Sequence, residues 1–302
     1  SHLQGAGISD PLAYEWFRHR EPVTVLNHAL LVYDVPPFEL KWFAQCESPT
    51  APLDEAAITK GTGKRALRII GFDCAQAWIY PGGGEEGGIY ALNHNLYQDP
   101  KLSFPSFLAA LPTPKDLFVA RHLSSTRLSF EKPTVGQLPA FVLHEMAPHA
   151  VPLPFPVKVY AASAELPPAS LQSSLSLRDS PNFNNTLSFI GMNLYSGNGT
   201  LEVETWWRNN SYSIINRPFS IMAHLVSPDG NTVDMADGLG ISPLALRSGD
   251  IFVQRHRFSK PLGKTLLWLR TGVYWLDTRQ LWGVDGTGGA DALFIELWAT
   301  PQ

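Results

Sequence analysis

The feature that most restricts this chain is the grammar of residues 168–302. Seven apolar, β-branched or aromatic runs follow one another there: "LSFIGMNLY", "GTLEVETWWRN", "PFSIMAHLVS", "NTVDMADG", "DIFVQRHRFS", "TLLWLRTGVYWL" and "ALFIELWAT". Turn signals stand between them: "SGNG", "SPDG", "RSGD" and "DGTGG". Short strands at such regular spacing predict an antiparallel β-sandwich, Ig-like or jelly-roll-like. In "SPDGN" a glycine can take the positive φ that a tight hairpin needs, so Gly230 marks a turn with a mechanism.

Within these runs, "LEVETWWRNN" sets two indoles side by side. Neighbours on a strand point to opposite faces. Leu201, Val203, Thr205 and Trp207 therefore share one face, and Glu202, Glu204 and Trp206 the other. The first set reads as core and the second as solvent-facing, which makes Trp206 an exposed aromatic between charges. In "LLWLRTGVYWL" the same rule puts Leu267, Leu269, Thr271, Val273 and Trp275 in one phase and Trp268, Arg270, Gly272 and Tyr274 in the other.

Residues 1–146 mix helix and strand signals and read as a small α/β domain. "SDPLAYEWFRHR", "PLDEAAIT" and "FPSFLAAL" predict helices, while "VTVLNHALLVYDV", "FELKWFAQ", "ALRIIGF", "AWIYP", "GIYALNH", "LFVARHL" and "AFVLHEM" predict strands. Residues 147–167 carry several prolines in an extended stretch and read as a linker. The fold class expected is thus α+β: residues 1–146, a linker over 147–167, and a sandwich over 168–302.

Composition narrows the function. With 302 residues, 44% of them hydrophobic, the chain can bury a core. A formal charge of −4 gives no electrostatic case for a nucleic-acid partner. No apolar run reaches about 18 residues, so no transmembrane segment is expected in this chain. The opening "SHLQGAG" has the look of a processed end. Cys46 and Cys74, the only two cysteines, lack CxxC spacing and a histidine cluster, so no metal site is expected. They pair in an oxidising compartment or stay as buried thiols.

No cofactor motif is complete. "KGTGKR" (60–65) has Arg65 where a phosphate loop needs Ser or Thr. "PGGGEEGG" (81–88) lacks dinucleotide spacing and reads as a flexible loop with Glu85 and Glu86 in solvent.

The candidate ligand-binding residues are Trp206, Glu202, Glu204, His224 and Asp237. Glu202 and Glu204 lie on one strand face with Cα atoms about 7 Å apart, a spacing open to glycoside hydrolysis. His224 falls out of phase with the apolar residues of "FSIMAHLV", and Asp234 or Asp237 can face it across the hairpin. A His–Asp pair without a nucleophile or metal is first a surface hydrogen bond. Exposed indoles bind sugar faces, but most tryptophans of a sandwich are core.

The stretches "LEVETWWRNN", "RPFSIMAHLVSPDGNTVDMADG", "LRSGDIFVQRHRF" and "LRTGVYWLDTRQLW" resemble the soluble C-terminal β domain of bacterial multi-spanning glycosyltransferases related to dolichyl-phosphate-mannose–protein mannosyltransferases. The positions that match are Trp206–Trp207, His224–Leu225, Asp229–Gly230, Ala236–Asp237, Ser248–Gly249–Asp250 and Thr271–Gly272–Val273–Tyr274, with Arg279 following. Trp275–Leu276–Asp277 departs from a pattern that runs from Tyr straight to Asp. "LKWFAQ" and "FDCAQAWIYPGGG" are similar to the segment that precedes that domain. The resemblance implies an extracytoplasmic accessory region, attached to or released from a membrane-spanning part. It carries over no catalytic residue, because the family's catalytic acid lies in loops between membrane spans.

The expectation is therefore a non-catalytic extracytoplasmic module of the cell surface or periplasm that binds glycan or positions a partner. One rival is a subunit or structural protein of a cell-envelope assembly, with an envelope protein as partner. The other is a glycoside-active enzyme using the Glu202/Glu204 face.

Overall fold

The computed structural model describes residues 39–48, 52–62, 66–93, 141–154, 157–171, 180–197, 200–259 and 266–297 except for isolated positions, with short pieces at 24–26, 30–32, 119–123 and 127–131. These residues are mostly β-strand, arranged in several antiparallel sheets, with one helix, α1 (Glu55–Thr62), described from end to end. Among them no helix is long and apolar enough to cross a membrane. The helix expected over "SDPLAYEWFRHR" and most of "FPSFLAAL" lie outside the described residues.

Contacts group the chain into two compact units. The first takes residues 1–70, 86–100 and 104–148. Its strands are β1 (Thr24–Leu26), β2 (Leu30–Val32), β3 (Leu40–Cys46), β4 (Arg68–Phe72, shared with the second unit), β6 (Gly87–Asn93), β7 (Val119–Leu123), β8 (Arg127–Glu131) and β9 (Phe141–Met146). The label β5 belongs to Ala77–Tyr80 in the second unit. Within the single run expected over "VTVLNHALLVYDV", the described residues form two short strands, β1 and β2, paired antiparallel. A sheet of order β4-β3-β6-β9 pairs β3 with β6 in parallel and β6 with β9 antiparallel.

Trp42 packs its ring against Gly88, where any Cβ would lie 2.1 Å from the indole, and donates from Nε1 to Glu86 O at 3.0 Å. Helix α1 starts later than "PLDEAAIT" suggests. The Gln45 amide holds both backbone groups of Leu53, at 2.8 and 3.0 Å. Asp54 then caps the helix through Oδ1, which accepts from Ala57 N at 2.7 Å.

The second unit takes residues 71–85, 101–103 and 149–302. Its further strands are β10 (Tyr160–Ala162), β11 (Asn182–Phe183), β12 (Leu187–Gly197), β13 (Thr200–Asn209), β14 (Phe219–Val226), β15 (Thr232–Met235), β16 (Ile251–Phe258), β17 (Leu267–Trp275) and β18 (Ala292–Leu297). They form two antiparallel five-stranded sheets, β10-β18-β17-β14-β15 and β11-β12-β13-β16-β5. Two of these strands come from outside residues 168–302. β5 pairs with β16, and β10, inside the stretch read as a linker, pairs with β18. The turn at "SPDG" is as expected, with Gly230 at φ 90°.

"PGGGEEGG" is a pinned turn where a flexible loop was expected. Gly82, Gly83 and Gly84 have φ of 58°, 66° and 84°, values that only glycine takes without strain. Gly82 N donates to Asp250 Oδ1 at 2.9 Å, and a Cβ on Gly84 would lie 2.5 Å from His149 O. Glu85 and Glu86 are exposed, as expected.

Candidate functional site

Strands β12, β13, β16 and β5 lie side by side, and their registers arrange one face of the sheet in rows. Tyr195 pairs with Glu202 and Glu202 with Arg257, so these three side chains form one row. The next row is Asn193, Glu204 and Arg255, and the next is Trp206, Val253 and Trp78. Neighbouring strands are about 4.8 Å apart, so each three-strand row spans roughly 10 Å.

The rows grade from wet to dry. Tyr195 is 41% exposed, whereas Glu204 is 1% and Trp206 is 2% exposed. The expectation that Trp206 and Glu204 face solvent is overturned. The phase was right, since Trp207 lies at the core beside Phe183 and Phe189, with ring centroids 5.6 and 5.3 Å away. The opposite face is covered as well. β5 lends Tyr80, which stacks on Trp206 with centroids 5.9 Å apart and planes 19° apart.

A second reason is electrostatic: the two carboxylates are paired. Glu204 Oε1 accepts from Arg255 Nη2 at 3.1 Å, and Oε2 from the Tyr195 hydroxyl at 3.2 Å. Glu202 Oε1 accepts from Arg257 Nε at 3.0 Å, and Arg255 Nε stands 3.6 Å from its other oxygen. Burial pushes the Glu204 carboxyl up, opposed by Arg255 and by hydrogen bonds from Tyr195 and Asn193. Burial likewise pulls the Arg255 guanidinium down, opposed by Glu204 and then Glu202. Burial wins for Glu204, whose carboxyl sits above the usual range although Arg255 is bonded to it.

His224 and Asp237 do meet, on the other sheet. His224 Nε2 is 3.1 Å from Asp237 Oδ1, so Asp237 is the partner. Asp234 instead accepts from Ser259 N and Oγ, both at 2.9 Å. The pair lies at the surface, as expected, and Asp237 has further partners there. Asp237 also accepts from Ala223 N at 2.8 Å and from the Tyr274 hydroxyl at 3.1 Å, while Arg279 Nη1 reaches that hydroxyl at 3.4 Å. Burial pulls the Asp237 carboxyl up, but the bonds from His224 and Ala223, the His224 charge and the Tyr274 bond outweigh it and hold it below the usual range. Arg270 Nη2 lies 2.8 Å from His224 Nδ1.

The five candidates thus divide between two sheets. Sequence reasoning missed the arginines Arg255, Arg257 and Arg270. The signal was present in "FVQRHRF", whose Arg255 and Arg257 alternate in the same way as Glu202 and Glu204. Among the described residues no group of three or more His, Cys, Asp or Glu is placed to hold a metal ion. Both cysteines are disulfide-bonded, and neither is a free thiol.

In comparisons with known proteins, no family model, no curated protein and no solved structure matches this chain.

Proposed function

We propose that this chain is a non-catalytic module that works outside the cytoplasm and binds glycan at the cell surface. The observation that carries this reading is the Tyr195–Glu202–Arg257 row, an aromatic ring, an acceptor and a donor in register on adjacent strands. A half-exposed tyrosine ring offers a surface for the CH face of a pyranose. Glu202 accepts from sugar hydroxyls and Arg257 donates to them. The row beneath is a buried ion pair, which makes the platform stiff. The site therefore moves from Trp206 to Tyr195, one strand away on the same face. Disulfide-bonded cysteines support an oxidising compartment.

The finer fold reading belongs with this proposal: a small N-terminal α/β domain, and a sandwich made by the two five-stranded sheets. So does an origin as the soluble part of a membrane glycosyltransferase, which the residue pattern alone supports. A multi-spanning segment encoded in frame with this chain would strengthen that origin, and a reading frame without one would remove it.

A glycan array probed with the intact protein tests the reading, with hits then incubated for hydrolysis. Binding without turnover is expected. Turnover lost in Glu202→Gln would restore the enzyme reading. A second reading, a subunit of an envelope assembly, is favoured by the β13–β14 connection, where Tyr212 is 97% and Ile214 is 67% exposed. An array without hits, together with a stable protein complex lost in Tyr212→Ser, would support that reading instead.

A further inference from the structure

We propose that residues 163–171 form a strap held across the β10-β18-β17-β14-β15 sheet by Arg270, and that protonation of His224 releases it. The strap lies beside a buried apolar cluster that includes Met222, Trp268, Tyr274 and Phe294, against which Ala164 and Leu171 pack. It is tied at three places. Ala164 N donates to Asp291 Oδ1 at 2.7 Å, and Ala164 O accepts from Arg270 Nη1 at 2.6 Å. Pro167 sits against Gly230, where a Cβ would lie 3.1 Å from Pro167 Cα. Ala169 N donates to Pro228 O at 2.9 Å.

The Arg270 tie depends on the state of one imidazole. A guanidinium only donates, so the 2.8 Å contact from Nη2 requires a lone pair on His224 Nδ1. The ring proton then sits on Nε2 and is donated to Asp237. A second proton on the ring removes the Nδ1 acceptor, the nearest partner of Arg270 Nη2, and sets two cations in contact. The ring itself stays, because its bond to Asp237 becomes an ion pair. Arg270 is the group that must move, and Ala164 O loses its donor.

The other groups around the pair do not cancel this. On β14, Ser220 bonds to Tyr274. From β15, Thr232 Oγ1 accepts from Arg270 at 3.2 Å and carries no charge. On β17, Tyr274 is bonded to Asp237, and Arg279 behind it adds positive charge. Asp237 and Asp291 attract Arg270, but Asp237 is committed to the ring and Asp291 to Ala164 N.

The test is hydrogen exchange of peptides spanning 163–171, at about pH 7.5 and about pH 5.5, corrected for intrinsic exchange. Buried His256, whose pKa is pushed down to about 4, stays neutral across that window. In the parent the strap should lose about tenfold in protection at the lower pH. In His224→Gln the loss should vanish, because a glutamine amide can accept from Arg270 and donate to Asp237 but does not titrate. A parent strap with equal protection at both values overturns the proposal, and so does a His224→Gln strap that still loosens. Nitrogen NMR of the His224 ring adds a check independent of any variant. The Nε2–H tautomer at neutral pH is expected, and Nδ1–H would contradict the gate.

Discussion

His256 donates from Nδ1 to the carbonyl oxygen of Ala236 at 2.7 Å, a bond from the β11-β12-β13-β16-β5 sheet to the segment that follows β15 of the other. Its Nε2 accepts from Thr205 Oγ1 at 2.9 Å, and that oxygen accepts from Trp207 Nε1, also at 2.9 Å. The relay from Trp207 to Ala236 needs a neutral imidazole. Burial pushes the His256 pKa down to about 4 from 6.5, against the Ala236 bond and the Asp237 charge. Above pH 6.5 both folded and unfolded chains carry it neutral. Between about 6.5 and about 4 the unfolded chain binds the proton first, so stability falls with falling pH. The loss is on the order of 3 kcal/mol once the pH passes below the folded value. Denaturant unfolding of the parent and His256→Gln from pH 7.5 to 4 checks this. The variant should be weaker at neutral pH and show a flatter acid limb.

Both indoles of the Trp206–Trp207 pair are buried, so both should matter to stability. Each alanine variant should lose about 3–5 kcal/mol by emptying a large packed site. Trp206→Phe should lose less, because a phenyl ring can still stack on Tyr80. Thermal and denaturant melts measure these losses. A near-neutral Trp206→Ala would mean that this face is open.

Glu204 and Arg255 should behave as a coupled pair. Removing one partner leaves a buried charge, so Glu204→Leu or Arg255→Met alone should cost about 3–5 kcal/mol. The double variant should cost less than either single, because no uncompensated charge remains. A double-mutant cycle that sums additively would show that the two side chains do not interact.

No free thiol should be found on the denatured, non-reduced protein, since both cysteines are disulfide-bonded. Reduction should lower the melting temperature, by an amount consistent with about 2–4 kcal/mol of lost stability. A count of two thiols would contradict this assignment and remove its support for an extracytoplasmic compartment.

Much of the second unit was legible because its strands obey the two-residue period and its turns carry glycine. Gly230 and the assignment of Trp207 to the core followed from local rules. Trp206 did not. The ring that covers it belongs to Tyr80, more than a hundred residues earlier in the chain, and period alone cannot show which edge strand joins a sheet. The same non-locality hid β10, whose Tyr160–Ala162 pairs with β18 from within a proline-rich stretch. The exposed charge expected of Glu204 failed for a related reason. A carboxylate on a strand is solvated only until a cross-strand arginine pairs with it, and Arg255 lies fifty-one residues away. His224 found Asp237 through the hairpin, a short-range relation that the sequence did show.

The most direct test of the central claim is calorimetric titration of the best array ligand into the parent, Tyr195→Ala and Tyr195→Phe. Tyr195→Ala should bind about tenfold more weakly, because an exposed stacking ring is worth on the order of 1 kcal/mol in binding. Both variants lose the hydroxyl bond to Glu204, so Tyr195→Phe is the control for its effect on folding. Tyr195→Phe keeps the ring and should bind nearly as well as the parent. Equal affinity for parent and Tyr195→Ala would contradict the claim, as would a parent that binds no glycan at all.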